Sequence, residues 1–265
     1  MEFVDTHCHL QFDKLAGNIE HVIKNANDLG VTWLICVGTT VADSQKAIEY
    51  TDKYKNIWAT VGVHPHEAKN FDFQGGSLEM EKLLSNSKIV AVGEVGLDFY
   101  KNYSPKADQE KLFRLQIETS LDSGLPYIFH VRDAWNDFWR IFDSYDNLRG
   151  VVHSFSASQT ELDQALSREL YVALNGIMTF TTNKEQLAAA KKVPKDRLLL
   201  ETDAPFLAPK LYRGQTCEPK YILDIAKFLA ELRDEDINEL ASYTTRNAIN
   251  LLGLQGRTSQ TGKIL

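Results

Sequence analysis

Residues 3–37 read FVDTHCHLQFDKLAGNIEHVIKNANDLGVTWLICV, and the succession of patterns within them decides the fold class. Phe3–His7 is a short apolar run of strand character. Ile19–Leu29 sets Ile19, Val22, Ile23 and Ala26 at helical spacing and stops at Gly30, a residue suited to the turn that ends a helix. Thr32–Val37 is a second run, apolar on both faces, as a strand covered from both sides of a parallel sheet must be. Strand, helix and strand in this order form a βα unit that demands a parallel neighbour.

The alternation continues outward from this first unit. Trp58–Val63, Ile89–Glu94, Tyr127–Val131, Val151–His153, Tyr171–Leu174 and Leu198–Glu201 bring the apolar runs to eight. Ser44–Tyr54, Gly76–Ser85, Asp108–Ser123, Ala134–Phe142, Gln159–Ser167 and Lys184–Lys191 have helical patterning between them, with Gly124 placed as a C-cap. Lys220–Leu232 and Asp234–Leu252 follow the eighth run. Eight βα units predict an α/β protein with a (β/α)8 TIM barrel rather than a doubly wound sheet, and no Gly-x-Gly-x-x-Gly follows a strand. A single domain is expected over residues 1–254, with residues 255–265 a polar, mobile tail.

Composition narrows the function classes. At 43% hydrophobic and 25% charged, the 265-residue chain fits a soluble globular protein and excludes collagen, coiled coil and global disorder. It has no run of eighteen apolar residues, and MEFVDTHCHL lacks a basic, then apolar, signal peptide, so a cytoplasmic location is expected, or a nuclear one in a eukaryote. Cys8, Cys36 and Cys217 have no zinc-finger spacing and are expected to be buried free thiols. A net charge of −7 argues against a broad surface for duplex DNA, while leaving room for a small site where bound metal supplies the positive charge.

The histidines carry the chemistry. Of seven, His7, His9, His64, His66, His130 and His153 fall at or just past the C-terminal ends of predicted strands, and only His21 falls on a helix. That end of a (β/α)8 barrel is where active sites are built. Alternation along a strand turns His7 and His9 to one side and Cys8 to the other, and groups Glu94 with Val90 and Val92, His130 with Ile128, and Asp203 with Leu199 and Glu201. Four imidazoles and two carboxylates then face the barrel axis. Mixed nitrogen and oxygen donors suit zinc, manganese, iron or cobalt, and six are more than one tetrahedral ion uses. Burying the same groups with no cation would leave costly desolvated charge.

These residues resemble the TatD family of metal-dependent deoxyribonucleases, within the amidohydrolase-like superfamily. The motifs are Asp5-Thr6-His7-Cys8-His9, Gly62-Val63-His64-Pro65-His66, Gly93-Glu94-Val95-Gly96-Leu97-Asp98, His130-Val131-Arg132-Asp133-Ala134, His153-Ser154-Phe155-Ser156, Leu200-Glu201-Thr202-Asp203-Ala204-Pro205 and Thr244-Thr245-Arg246-Asn247-Ala248, in family order over nearly the whole chain. The resemblance implies a somewhat distorted barrel and one or two divalent ions, zinc, magnesium or manganese. It implies that His7, His9, Glu94 and Asp203 hold the first ion, and that Glu94, His130 and His153 hold the second, with Glu94 bridging. It also implies hydrolysis of DNA phosphodiesters in the 3′–5′ direction. Two departures stand out: the family's frequent Cys or Gly in the motif written here His153-Ser154-Phe155-Ser156-Ala157, and its late Asn-Glu-Pro, here Cys217-Glu218-Pro219. The changed positions read as pocket walls.

On this reading Asp203 takes a proton from the attacking water, with Glu94 the other catalytic carboxylate. Arg132, His64 and Tyr100 contact phosphate or base, His66 orients His64 or caps a loop, and Lys101, Lys210 and Arg213 form a local basic rim. A site of this size, on an acidic chain, suits single-stranded or frayed DNA ends rather than long duplex. An amidohydrolase or esterase acting on a small molecule or an aminoacyl-tRNA would use the same ligands. Glu94, where many barrel amidohydrolases have a carbamylated lysine, favours the phosphodiesterase. A metal-binding scaffold without turnover is a further alternative, weakened by the complete ligand set.

Overall fold

A computed structural model describes residues 1–101 and 103–255. Eight strands, β1 Phe3–Cys8, β2 Val31–Cys36, β3 Ile57–Val61, β4 Ile89–Asp98, β5 Tyr127–Arg132, β6 Gly150–Val152, β7 Tyr171–Leu174 and β8 Leu198–Leu200, form one sheet in chain order. Every neighbouring pair is parallel. The barrel closes just past β8: Cys8 bridges to Ala204, the His9 amide donates to the Ala204 carbonyl (2.7 Å) and the Asp203 amide to the His7 carbonyl (2.8 Å). The closing backbone therefore belongs to the residues of two of the motifs, and it sets them side by side.

The helices are α1 Asp13–Ala16, α2 Ile19–Asp28, α3 Val41–Lys53, α4 Gly75–Leu84, α5 Lys106–Ser120, α6 Trp135–Phe142, α7 Gln159–Ser167, α8 Lys184–Lys192, α9 Ile222–Arg233 and α10 Ile237–Leu252. Local chemistry starts several of them. Thr40 accepts the Asp43 amide at α3, Ser158 and Glu161 form a capping box at α7, and Asp236 accepts the Asn238 and Glu239 amides at α10. Gly124 has the expected left-handed conformation (φ 64°), but it follows a short 3-10 turn, Leu121–Ser123, that continues α5.

Two apolar layers result. Outward-facing strand residues such as Phe3, Leu34, Ile57, Phe129 and Leu200 pack under the helices. Inward-facing Val4, Trp33, Ile35, Trp58, Val90, Ile128, Val151 and Leu199 fill the barrel, and Ala248, Leu251 and Leu252 of α10 join them from below. The Thr244–Ala248 motif thus serves the floor: Asn247 Nδ2 donates to the Lys195 and Leu198 carbonyls (2.8 and 2.9 Å), and Thr245 Oγ1 to the Glu2 carbonyl (2.8 Å).

The sequence reading departs from the structure mainly at β4. The strand is expected to end at Glu94 but runs on to Asp98. Its glycines read as a turn, yet at Gly96 (φ 143°) a Cβ would come within 2.0 Å of the His130 carbonyl oxygen, so glycine is what lets β4 and β5 meet there. Strict alternation also fails in this strand. Val92 packs in the outer layer, not beside Val90, with register shifts before Thr60 on β3 and between Val92 and Val95. The short α1 was not foreseen. Of the expected mobile tail, residues 256–265 lie outside the described residues.

Candidate metal centre

The C-terminal end of the barrel is a cavity of about 580 Å³ lined by His9, His64, His66, Glu94, Asp98, His130, Arg132, His153 and Asp203, among others. His7 and His9 come from the end of β1, Glu94 from β4, His130 from β5, and His153 and Asp203 from just past β6 and β8. Cys8, between the two first histidines, turns into the outer layer.

Glu94 sits at the centre of this cage. Its Oε2 lies 3.4 Å from His7 Nε2 and 4.0 Å from His9 Nε2. Its Oε1 lies 2.6 Å from His130 Nδ1, 2.7 Å from His153 Nε2 and 3.6 Å from His64 Nε2. Asp203 Oδ1 completes the first set, 3.3 Å from His9 Nε2 and 3.7 Å from His7 Nε2, and the two imidazole nitrogens are 3.2 Å apart. Donors about 2.0–2.2 Å from a tetrahedral ion stand about 3.3–3.6 Å from one another. The His7, His9, Glu94 and Asp203 set has that spacing and the mixed nitrogen and oxygen chemistry to match. The second set has the same donor chemistry, but its two shortest separations are hydrogen-bond lengths, and His64 joins it as a further imidazole.

The electrostatics follow from burial against neighbours. Burial alone would raise the Glu94 carboxyl, but the imidazoles of His153, His64 and His7 and the hydrogen bond from His130 hold it well below the usual range. Asp203 is likewise opposed by burial and held low by His9 and His7. Burial would lower His153, yet Glu94 and Glu201 drive it well above the ordinary histidine value. His130 is raised against burial by Asp98 and Glu94, and His9 by Asp203. Burial together with His153 lowers His7, and burial lowers His64 further still. The cage therefore combines ionised carboxylates with imidazoles of both inclinations.

Several supporting residues escaped the sequence reading. Asp98 accepts from His130 Nε2 (3.1 Å) and pairs with His66 Nε2 (3.0 Å), fixing His130 from behind. Its signal was the four-residue spacing from Glu94, invisible once β4 is ended too early. Glu201 lies 3.5 Å from His153 Nδ1 and accepts the Ser154 amide (2.6 Å). The Val37 carbonyl accepts from His9 Nδ1 (2.8 Å), a main-chain contact that no side-chain pattern encodes.

The expected substrate contacts are placed unevenly. Arg132 lines the cavity with its guanidinium 3.8 Å over the ring of Tyr100, which is half-exposed and lies behind it rather than in the lining. Lys101 lines the cavity; Lys210 and Arg213 do not, and Arg213 instead covers Phe180. The His66 ring serves Asp98, not His64; only its backbone amide meets His64, donating to Nδ1 (3.1 Å). Ser154 and Ser156 are pocket walls, but Cys217 is not: it is buried behind the β8 loop, its amide donating to the Pro205 carbonyl (3.1 Å). All three cysteines are buried free thiols.

Known proteins of this shape carry the same arrangement of motifs. A family model described as TatD related DNase matches residues 4–253. An uncharacterized metal-dependent hydrolase, YabD, of Bacillus subtilis is 36% identical over 250 residues, covering 93% of this chain and 97% of that one. A protein named 3′-5′ ssDNA/RNA exonuclease TatD, of Cronobacter sakazakii, is 34% identical over 239 residues, 88% of this chain and 90% of its own. The crystal structure of YJJV, a TatD homologue of Escherichia coli K12, superposes with a TM-score of 0.90 at 26% identity, over 95% of this chain and 98% of that one. With a complete barrel, a histidine and carboxylate cage at its mouth and this breadth of match, the chain belongs to the family of TatD-related, metal-dependent deoxyribonucleases.

Proposed function

We propose that this chain hydrolyses phosphodiester bonds at single-stranded or frayed DNA ends, in the 3′–5′ direction, using one or two divalent ions drawn from zinc, magnesium or manganese. His7, His9, Glu94 and Asp203 would hold the first ion, and Glu94, His130 and His153 a second. The observation that carries the reading is the division of Glu94, with one carboxylate oxygen toward each set. Divalent ions there supply acidity to a coordinated water and offset negative charge on the phosphoryl oxygens.

The chain's own residues do the rest. Asp203, ionised at neutral pH and the more exposed of the two cage carboxylates, is placed to take the proton of the water that attacks phosphorus as the P–O3′ bond breaks. Asp98 and Glu201 hold the rings of His130 and His153 from behind. Arg132, braced flat on Tyr100, offers a fork to a non-bridging phosphate oxygen, and His64 stands beside it at the cavity wall. The working unit is residues 1–254. No helix among the described residues is long and apolar enough to cross a membrane, and the reading places the enzyme in the cytoplasm, or in the nucleus of a eukaryote.

The test is to strip the protein with a chelator, reload it with zinc, magnesium or manganese, measure bound metal by elemental analysis, and assay a 5′-labelled single-stranded oligonucleotide beside small amides and esters. Successive shortening of the oligonucleotide with at least one metal is the expected result. Cleavage of amides or carboxylic esters alone would move the chain to the amidohydrolase reading.

A further inference from the structure

The mouth of the barrel has a second concavity beside it, and two aromatic rings form the wall between them. Phe12, after β1, and Phe206, after β8, line both the metal-centre cavity and a neighbouring groove of about 320 Å³. Phe12 lies flat on His9, with centroids 4.7 Å apart and planes 13° from parallel, and Phe206 meets it edge-on at 6.0 Å. Phe206 is 45% exposed. Tyr100, Tyr103 and Phe206 are the exposed large aromatics among the described residues, and all three stand at this mouth. Apolar rings left in water and gathered at one opening mark a surface that something covers.

The far side of the wall is cationic. Lys14 on α1 and Lys46 on α3 line the outer groove, are exposed, and form no ion pair with a described residue. Asp43 also lines it, but its carboxylate is turned inward to the Gln11 side chain (2.7 Å) and the Thr39 amide (2.9 Å). Asp13 is the remaining acid there. Ring, then paired cations, is the order in which a single strand presents a base and the next phosphates.

We propose that Phe12 and Phe206 form a ridge over which single-stranded DNA leaves the metal centre, one nucleobase stacked on Phe206 and the following phosphates held by Lys14 and Lys46. The inference rests on the nuclease reading and adds to it a reason for preferring single strands: a paired base cannot turn its face to the ridge. It also places the strand on the side of the mouth opposite Arg132 and Tyr100.

The test compares the metal-loaded enzyme on a single-stranded octanucleotide and on a dinucleotide, which has the scissile phosphate but none beyond it. Phe206→Leu should lower kcat/KM for the octanucleotide about 5- to 100-fold, the range of one lost base stack, and Phe206→Trp should restore it. The Lys14→Gln/Lys46→Gln double variant should cut the octanucleotide-to-dinucleotide ratio of kcat/KM about tenfold and flatten the dependence of log kcat/KM on log salt by about 1.4, or about 0.7 for each phosphate released. Leu and Trp variants that match wild type within twofold, or a ratio and salt slope indifferent to the two lysines, would overturn the ridge while leaving the nuclease reading intact. A wild-type enzyme that cleaves neither oligonucleotide with any metal would overturn both.

Discussion

The barrel interior has two storeys built by the same strands. The lower one, around Trp33, Ile35, Val90, Ile128, Val151 and Leu199, is apolar and closed by α10. The upper one, only a few residues further along, holds His7, Glu94, His130 and, just beyond the strands, His153 and Asp203. The lower storey gains stability from every apolar group it removes from water, about 25 cal/mol per Å². The upper storey gains nothing that way, since each buried imidazole or carboxylate loses hydration and must be compensated by a neighbour or a cation. Stability and chemistry are thus stacked along one axis, and substitutions should separate them.

The largest expected effect is in the upper storey. Glu94→Gln removes the charge that faces both donor sets and should lower phosphodiester hydrolysis about 1,000-fold or more, the scale of a lost preorganised electrostatic partner. A variant keeping a tenth of the activity, with bound metal counted by elemental analysis, would break the contrast between the storeys. The converse change is Trp33→Ala in the lower one. Trp33 is fully buried, and its removal should cost about 3–5 kcal/mol in chemical denaturation while activity per folded molecule stays within a few-fold. Its indole N–H has no hydrogen-bond partner, so Trp33→Phe should cost less than half as much.

Between the storeys lies Asp5, buried completely, accepting from the Thr202 amide (2.9 Å) and hydroxyl (2.5 Å). Burial pushes its carboxyl up from 3.8 to about 8, with the Thr202 hydrogen bonds opposing. In the metal-free chain the folded state keeps a proton that the unfolded state releases, so the Asp5 contribution makes stability fall as pH rises from about 4 to about 8. Asp5→Asn should flatten that decline in melting temperature against pH; an unchanged slope would mean that Asp5 is ionised in the fold. The smallest effect belongs to the rim. Arg132→Ala should raise KM for an oligonucleotide about tenfold with kcat little changed, because its contact to phosphate is equally strong before and during reaction. A fall in kcat alone would place Arg132 nearer the chemistry.

Much of this was legible in the chain. The eight runs matched eight strands because buried parallel strands are apolar on both faces and are separated by capped helices. Glu94 was legible for a less secure reason: it was grouped with Val92, which in fact packs outside, and a register shift brings the carboxylate to the mouth regardless. Asp98 and Glu201 were missed because a carboxylate that braces an imidazole looks, in sequence, like any acid at the end of a strand. Cys217 was misread as a wall because nothing local says which side of a loop faces the cavity.

By itself the sequence determined the barrel, through the period of its apolar residues, and the residue types of the cage, through histidines and acids repeated at strand ends. Only the tertiary structure decided which oxygen of Glu94 faces which imidazoles, and that Phe12 and Phe206, far apart in the chain, share one wall. Periodicity is a local property that each segment carries alone. Distances between donors, and the meeting of two rings, are set by how β8 closes on β1, and closure belongs to the whole chain.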